Sequence, residues 1–348
     1  MQKTSLRFFA TSFGLAALLV SAAACSDDAK TASTAATTPT TKTKVTIALD
    51  WTPNTNHIGV YAAKAKGWYD AAGLDVEILP YGDTAPEQLV ANGKADFGFS
   101  YQAGLTYARA GGAPIKQVYA NVVKNQYEIA YRESRSDITR PRDLDGKTYA
   151  GFGTPDEKPT LSYVIKKDGG TGDFKSVALS AAAYDAVYAG TADFTITVST
   201  WEGIQAGLVG KPLKAFSFSD YGFPNQYSTA IISSESWLKG NTDSARAFVA
   251  ATHKGYQFAK DNPSAAADLL VKANPDVLKD PTLVDKSAKT LASDGYFGTS
   301  STPLGRIDAA VWKAYGGFLF SNGLLTGPDG KPLATEPDWS AYYTNEYL

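Results

Sequence analysis

The sequence predicts an α/β protein of two similar lobes with a ligand cleft between them. Three observations lead there. Short β-type runs alternate with amphipathic stretches of helical spacing, the pattern of helices covering mostly parallel sheets. A five-residue block recurs, Gly93-Lys94-Ala95-Asp96-Phe97 returning as Gly190-Thr191-Ala192-Asp193-Phe194, each copy after a helix and at the start of a strand. The run Leu49-Asp50-Trp51-Thr52-Pro53-Asn54-Thr55-Asn56-His57 gathers a carboxylate, an indole, amides and one of the chain's 2 histidines directly after an apolar strand. Open α/β sheets bind ligands beyond their strand C-termini, so this run reads as the cleft floor.

The chain's 348 residues leave room for two domains at roughly 100–200 residues each. No basic stripe is present, so nucleic acid is not an expected partner. The N-terminus has the form of a secretory signal over residues 1–24. Lys3 and Arg7 are its positive region, and their removal takes the net charge from −2 to −4. Phe8 to Val20 is apolar but short of the ~20 residues of a membrane span. Cys25, the 1 cysteine of the chain, follows Ala22-Ala23-Ala24 and has no partner for an internal disulfide. Its position resembles a bacterial lipobox, with Ala22 where Leu is usual, and implies a lipid anchor on Cys25 at the outer membrane–water face. Residues 25–43 then form a Thr/Ala/Ser-rich linker unable to bury a core.

The first lobe is expected over 44–130 and 222–348, the second over 131–221. Val45 to Leu49 is a strand. Thr52 can cap the next helix with Pro53 in its first position. Ile58, Tyr61, Ala62, Ala65, Trp68 and Tyr69 give that helix one buried face. Strands at 74–79, 95–99, 115–123 and 127–131 alternate with helices at 85–92 and 103–110. Beyond the turn at 143–147, strands at 148–151, 177–179 and 192–198 alternate with helices ending near 167, 188 and 208. Phe216 to Thr229 reads as a loop crossing back. Helices at 242–260, 263–273, 279–293 and 307–320 complete the chain.

Candidate ligand contacts are the polar and aromatic residues of the strand-end loops. Asp50 can accept from an amino group or a protonated ring nitrogen, and Trp51 can stack a flat ring. Asn54 and His57 share a helix face with Tyr61. Ser100 and Tyr101 follow the third strand. Phe152, Gly153, Thr154 and Glu157 combine a ring, close backbone approach and a helix N-terminus. Trp201 and Glu202 are the matching pair of the second lobe, and Tyr221 and Asn225 can close one side. For each the bland alternative is a cap, a core contact or a loop bond. The set is acidic and aromatic, with Lys158 as its one cation. It argues against small oxyanions, which want Arg or several N–H donors, and favours a flat, nitrogen-rich solute. No catalytic motif and no Cys/His metal cluster is present.

The run Leu49 to His57, with Gly59, Tyr61-Ala62-Ala63, Lys66-Gly67-Trp68-Tyr69, Gly73-Leu74-Asp75-Val76, the block Gly93 to Gly98 and the ending Tyr343-Thr344-Asn345-Glu346-Tyr347-Leu348, resembles the NMT1/THI5-like family. The resemblance implies a periplasmic-binding-protein-like (type II) fold. It also implies a monomeric extracytoplasmic receptor working with the permease subunits of an ABC importer and needing no cofactor. Its solute would be a thiamine pyrimidine precursor of the formylaminopyrimidine or hydroxymethylpyrimidine type, with riboflavin or another flat heteroaromatic as the alternative. The family also holds fungal pyrimidine synthases that use a lysine-bound pyridoxal phosphate and their own histidine. Those positions align with Ser100 and Gly104, and their cysteine-rich motif has no counterpart. The resemblance therefore points to the binding-protein branch and away from an enzyme. The loop Gly151 to Glu157 is similar to the family's glycine-rich ligand loop, though poorer in glycine.

Overall fold

The computed structural model describes residues 42–348; the signal segment, Cys25 and nearly all of the linker lie outside the described residues. Residues 41–348 form one compact unit. In chain order its first part is β1 (Thr43–Ala48), α1 (Ile58–Ala65), α2 (Trp68–Ala71), β2 (Leu74–Leu79), α3 (Pro86–Ala91), β3 (Phe97–Ser100), α4 (Gln102–Ala110) and β4 (Ile115–Val122). The middle is β5 (Tyr127–Arg132), β6 (Thr148–Gly151), α5 (Glu157–Lys167), β7 (Lys175–Ala178), α6 (Ala183–Ala189), β8 (Phe194–Val198), α7 (Glu202–Leu208) and β9 (Leu213–Ser217). The last part is β10 (Thr229–Ser234) and five helices, α8 (Glu235–Gly240), α9 (Thr242–Asp261), α10 (Pro263–Ala273), α11 (Pro281–Ser293) and α12 (Ala309–Ser321).

Two 5-stranded sheets result, ordered β2-β1-β3-β10-β4 and β7-β6-β8-β5-β9. Each has three parallel strands joined through helices and one strand, β10 or β5, that runs antiparallel to both its neighbours. Four of the five strands in each sheet thus run the same way, in line with the mostly parallel sheets expected from the sequence, and one is reversed. The reason is that the antiparallel strand of each sheet belongs to a crossing segment and enters from the other lobe. β10 itself was missed, because Thr-Ala-Ile-Ile-Ser-Ser follows a loop and precedes helices. It is buried along its whole length in the middle of the first sheet. β9 was missed as well.

The recurring block has the same task in both sheets. Asp96 accepts from the Thr46 backbone N–H at 2.7 Å and from its hydroxyl at 2.9 Å. Asp193 accepts from the Thr148 backbone N–H at 2.8 Å. Each aspartate, just before one strand, ties that strand to its parallel neighbour. The repeat is therefore architectural.

The chain changes sheet between Val122 and Tyr127 and returns between Ser217 and Thr229. The expected border at 130/131 falls inside β5, which pairs wholly within the second sheet. The border expected at 221/222 falls within the return crossing. The two crossings are laced side by side. The Asn125 N–H donates to Asn225 Oδ1 at 2.8 Å, Asn225 Nδ2 donates to the Val123 carbonyl at 3.1 Å, and the Gln126 N–H donates to Ser228 Oγ at 2.8 Å.

Candidate functional site

Beyond the C-terminal end of β1 the chain does not enter a helix at Thr52 as expected. It turns first, and Asn54 caps a short 3-10 turn, its Oδ1 accepting from the Asn56 N–H at 2.8 Å. Asn54 Nδ2 is spent on the Thr52 carbonyl at 3.0 Å, so the amide is a turn residue rather than a ligand contact. The same turn drives His57 inward until it is 0 % exposed, edge-on to Phe99. His57 Nδ1 accepts from the Asn54 N–H at 3.2 Å, which leaves the proton on Nε2. Nε2 lies 2.8 Å from Asp50 Oδ1. His57 is thus a positioning residue beneath Asp50. The Asp50 carboxylate stays 19 % exposed and keeps Oδ2 for another donor.

Trp51 meets the loop after β6 in the other sheet. Its ring lies 5.1 Å from Tyr81 and 6.5 Å, edge-on, from Phe152, which in turn lies 6.2 Å from Tyr184. These rings form an aromatic lip shared by both sheets. Phe152, Gly153 and Thr154 wrap around Glu157. Its Oε1 accepts from the Phe152 N–H at 2.9 Å and the Thr154 N–H at 3.3 Å, and its Oε2 from the Gly153 N–H at 3.1 Å. Glu157 is 7 % exposed and its lone pairs are used, so it holds the loop in place of a ligand. Ser100 is likewise committed, its buried hydroxyl donating to Glu87. Tyr101, beside it, is half-buried.

On the second lobe's side Glu202 opens α7. Burial pushes its carboxyl up to about 7, and Oε2 is buried without a partner. Trp201 packs instead on the large apolar core formed with Ile58, Tyr256 and Leu291. Asn225 is consumed by the crossing described above. Tyr221 lies against Phe216, and the charges that act on it are Asp168, Asp220 and Arg140. It ends a 3-10 turn over Phe218–Tyr221 that directly follows β9.

The structure therefore sets Trp51 against Phe152 and brings Asp50, Tyr101 and Glu202 close enough to act on Tyr127. Asn54, His57, Ser100, Gly153, Thr154 and Glu157 are engaged in bonds of the surrounding turns and loops. Sequence reasoning missed Glu87, Tyr127, Asp156 and Tyr184. Burial, and after it the charges of Asp156, Glu87, Asp50 and Glu157, push the Tyr101 phenol up. Burial, followed by Tyr101, Asp50, Asp156 and Glu202, does the same to Tyr127. Carboxylates from both lobes thus act on those two hydroxyls. Among the described residues no Lys or Arg lies within 4.0 Å of these acids, whose one ion-pair partner is His57. A hollow of about 350 Å³ near Lys313, Glu336 and Trp339 lies elsewhere and contains none of these residues.

Comparison with known proteins places the chain. Residues 54–266 match the family model described as NMT1/THI5 like. The chain belongs to the NMT1/THI5-like family. A formylaminopyrimidine-binding protein of Halalkalibacterium halodurans is 29 % identical over 82 % of this chain and 87 % of its own length. The 4-amino-5-hydroxymethyl-2-methylpyrimidine phosphate synthase THI13 of Saccharomyces cerevisiae is 26 % identical over 88 % of both chains. Among solved structures, the periplasmic aliphatic sulphonate binding protein SsuA of Escherichia coli superposes with a TM-score of 0.63 at 15 % identity, over 86 % of this chain and 91 % of that one. That likeness shows the two-lobed periplasmic-binding-protein fold.

Proposed function

We propose that this protein is a solute receptor that binds a thiamine pyrimidine precursor of the formylaminopyrimidine type between its lobes and delivers it to the permease of an ABC importer. The observation that carries the reading is the run of ring contacts from Tyr81 through Trp51 and Phe152 to Tyr184, beside carboxylates that no basic side chain neutralises. Asp50, held by His57, accepts from an exocyclic amino group, and Glu202 faces a ring nitrogen and its neighbouring amine. Trp51 and Phe152 cover the ring faces. A sulfonate or nitrate fits poorly here, because the N–H groups of Phe152, Gly153 and Thr154 that could hold an oxyanion already hold Glu157. The formylaminopyrimidine-binding relative supports the same solute class. Secretion and lipidation at Cys25 would hold the receptor on the outer face of the membrane.

The synthase relatives raise an enzymatic alternative, which the local packing disfavours. At Gly104, aligned with the synthases' donor histidine, even a Cβ would stand 2.8 Å from Glu87 Oε1 and 2.8 Å from the Tyr101 ring. Ser100, at the lysine position, carries no amine for a Schiff base. Isothermal calorimetry with formylaminopyrimidine, hydroxymethylpyrimidine, thiamine and riboflavin tests the reading, alongside native mass spectrometry of ligand retained through purification. Saturable pyrimidine binding is expected. Tight riboflavin binding with no pyrimidine binding would transfer the aromatic lip to an isoalloxazine. Pyridoxal phosphate absorbance with turnover would overturn the receptor reading.

A further inference from the structure

The end of the first sheet farthest from Asp50 carries a second aromatic cluster, and this one is cationic. β1 and β2 start there side by side, the Thr43 N–H donating to the Gly73 carbonyl at 2.9 Å and Thr43 lying opposite Leu74. Trp68, on α2 just before β2, packs edge-on against Phe258 of α9, with ring centroids 5.9 Å apart. Both rings are half-buried. The Lys254 ammonium stands 4.7 Å from the centre of the Trp68 ring, and the Lys66 ammonium 4.5 Å from that of Phe258. Both lysines are exposed, and among the described residues neither has a carboxylate within 4.0 Å. Acids at this end have other partners. Asp70 pairs with Lys42 at 2.5 Å, and Glu77 pairs with Lys44 at 3.3 Å. Asp75 lies opposite Lys44 in the strand pair, and Asp261 accepts from Gln257 Nε2 at 2.9 Å.

The chain enters this end directly from the linker. Residues 26–41 join Cys25 to Lys42 and, at ~3.5 Å each, can span at most roughly 55 Å. A lipid on Cys25 therefore keeps the cluster close to a bilayer. Rings that carry lysines suit the headgroup level of a membrane, where an indole rests at the interface and ammonium groups meet lipid phosphates. The chain as a whole is net negative, so an anionic bilayer repels most of its surface and selects the cationic face. We propose that the face formed by Lys66, Trp68, Lys254 and Phe258 rests on the anionic headgroups of the bilayer that holds the lipid anchor. The inference rests on lipidation at Cys25 for proximity and goes beyond it by fixing an orientation. Asp50 lies past the other end of β1, roughly 20 Å away at ~3.3 Å per strand residue. In this pose the Asp50 end is turned away from the bilayer and stays open to solute.

The test is amine footprinting of the mature, membrane-extracted protein on vesicles of phosphatidylcholine alone or mixed with phosphatidylglycerol. Brief acetylation is read by mass spectrometry at each lysine. On the anionic vesicles, labelling of Lys66 and Lys254 should fall at least about fivefold, the factor expected for one lysine near an anionic surface. High salt should restore it. Lys158 and Lys313, exposed on other faces, should label equally on both vesicles. Lys44, beside the cluster, should be protected in the wild type and lose that protection in the double variant Lys66→Gln/Lys254→Gln. Equal labelling of Lys66 and Lys254 on the two vesicles overturns the proposal. Equal protection of Lys158 and Lys313 overturns it too, since it marks adsorption without orientation. Flotation keeps the two readings apart. A chain that does not float with phosphatidylcholine vesicles refutes the lipid anchor. The face is then judged by flotation with the anionic vesicles, where binding lost in the double variant supports it and no binding refutes it.

Discussion

At the scale of residues, the site depends on how neighbouring side chains divide the work. Asp50 and His57 lie seven positions apart and meet because the Asn54 turn folds the chain between them. The imidazole proton faces Asp50 Oδ1, so that oxygen is fixed and the other is left for another donor. Asp50→Asn keeps an acceptor for His57 and removes the charge. Its affinity for the pyrimidine should fall by at least ~1.5 kcal/mol, the lower range for a hydrogen bond to a charged group, with unfolding free energy nearly unchanged. Asp50→Ala should lose the same affinity and also ~1–3 kcal/mol of stability, because it leaves the buried His57 N–H unpaired. Calorimetry and urea unfolding on both variants check this, and unchanged affinity in Asp50→Asn would make Asp50 a cap only.

Glu202 gives a pH signature at the same scale. An unfolded glutamate titrates near 4.5, whereas burial holds this one up to about 7. Between those values the folded state binds the extra proton, so unliganded stability falls as pH rises from 4.5 to 7 and levels off above. The loss amounts to roughly 3 kcal/mol for a shift of this size. Glu202→Gln should remove that slope and be the more stable protein at pH 8. Urea unfolding at several pH values would show it; parallel pH profiles for the two proteins would sink the assignment.

At the scale of elements, the helical wall behind the Asp50 turn is set by close backbone approach. α1 and α9 cross where a Cβ on Gly255 would stand 1.9 Å from the Gly59 carbonyl oxygen. The helices can touch there only because position 255 has no side chain. Tyr256, the next residue, sends its hydroxyl to the Asn56 carbonyl at 2.5 Å and so braces the turn that carries His57. Gly255→Ala should cost at least ~2 kcal/mol, in the range for overpacking, and should weaken ligand binding as the brace shifts. A denaturant midpoint matching wild type would show that the helices can slide apart freely.

At the scale of the whole molecule, the two sheets are bound by more than the crossings. Thr55 Oγ1 lies 2.6 Å from Ser287 Oγ on α11, Ser287 donates to the Thr200 carbonyl, and Gln126 Nε2 donates to Thr200 Oγ1 at 2.6 Å. The Asp50 turn, α11 and the Glu202 loop are thus one bonded group, through which a solute bound as proposed at Asp50 and Glu202 would act on both lobes. Ligand bound only by the folded state should raise unfolding free energy by ~2.7 kcal/mol at a hundredfold excess over its dissociation constant. Thermal scans at rising formylaminopyrimidine concentration measure it, and a midpoint independent of ligand would contradict closure on this solute.

The sequence by itself determined the α/β alternation, the pairing of two like lobes and the family, since these rest on local periodicity and contiguous motifs such as Leu49 to His57. It also offered Asp50, Trp51, Phe152 and Glu202 as candidate contacts, because strand-end loops are visible in a linear chain. Only the tertiary structure decided which acids are free. Glu157 and Asp156 are adjacent and chemically alike, yet one is enclosed by three N–H groups of its own loop and the other meets Tyr315 across the lobes. Likewise β10 gained its place in the sheet from β3 and β4, which lie more than a hundred residues upstream. Local pattern cannot express either outcome, because side-chain satisfaction and strand pairing depend on partners distant in sequence, and those partners are chosen only when the chain is folded.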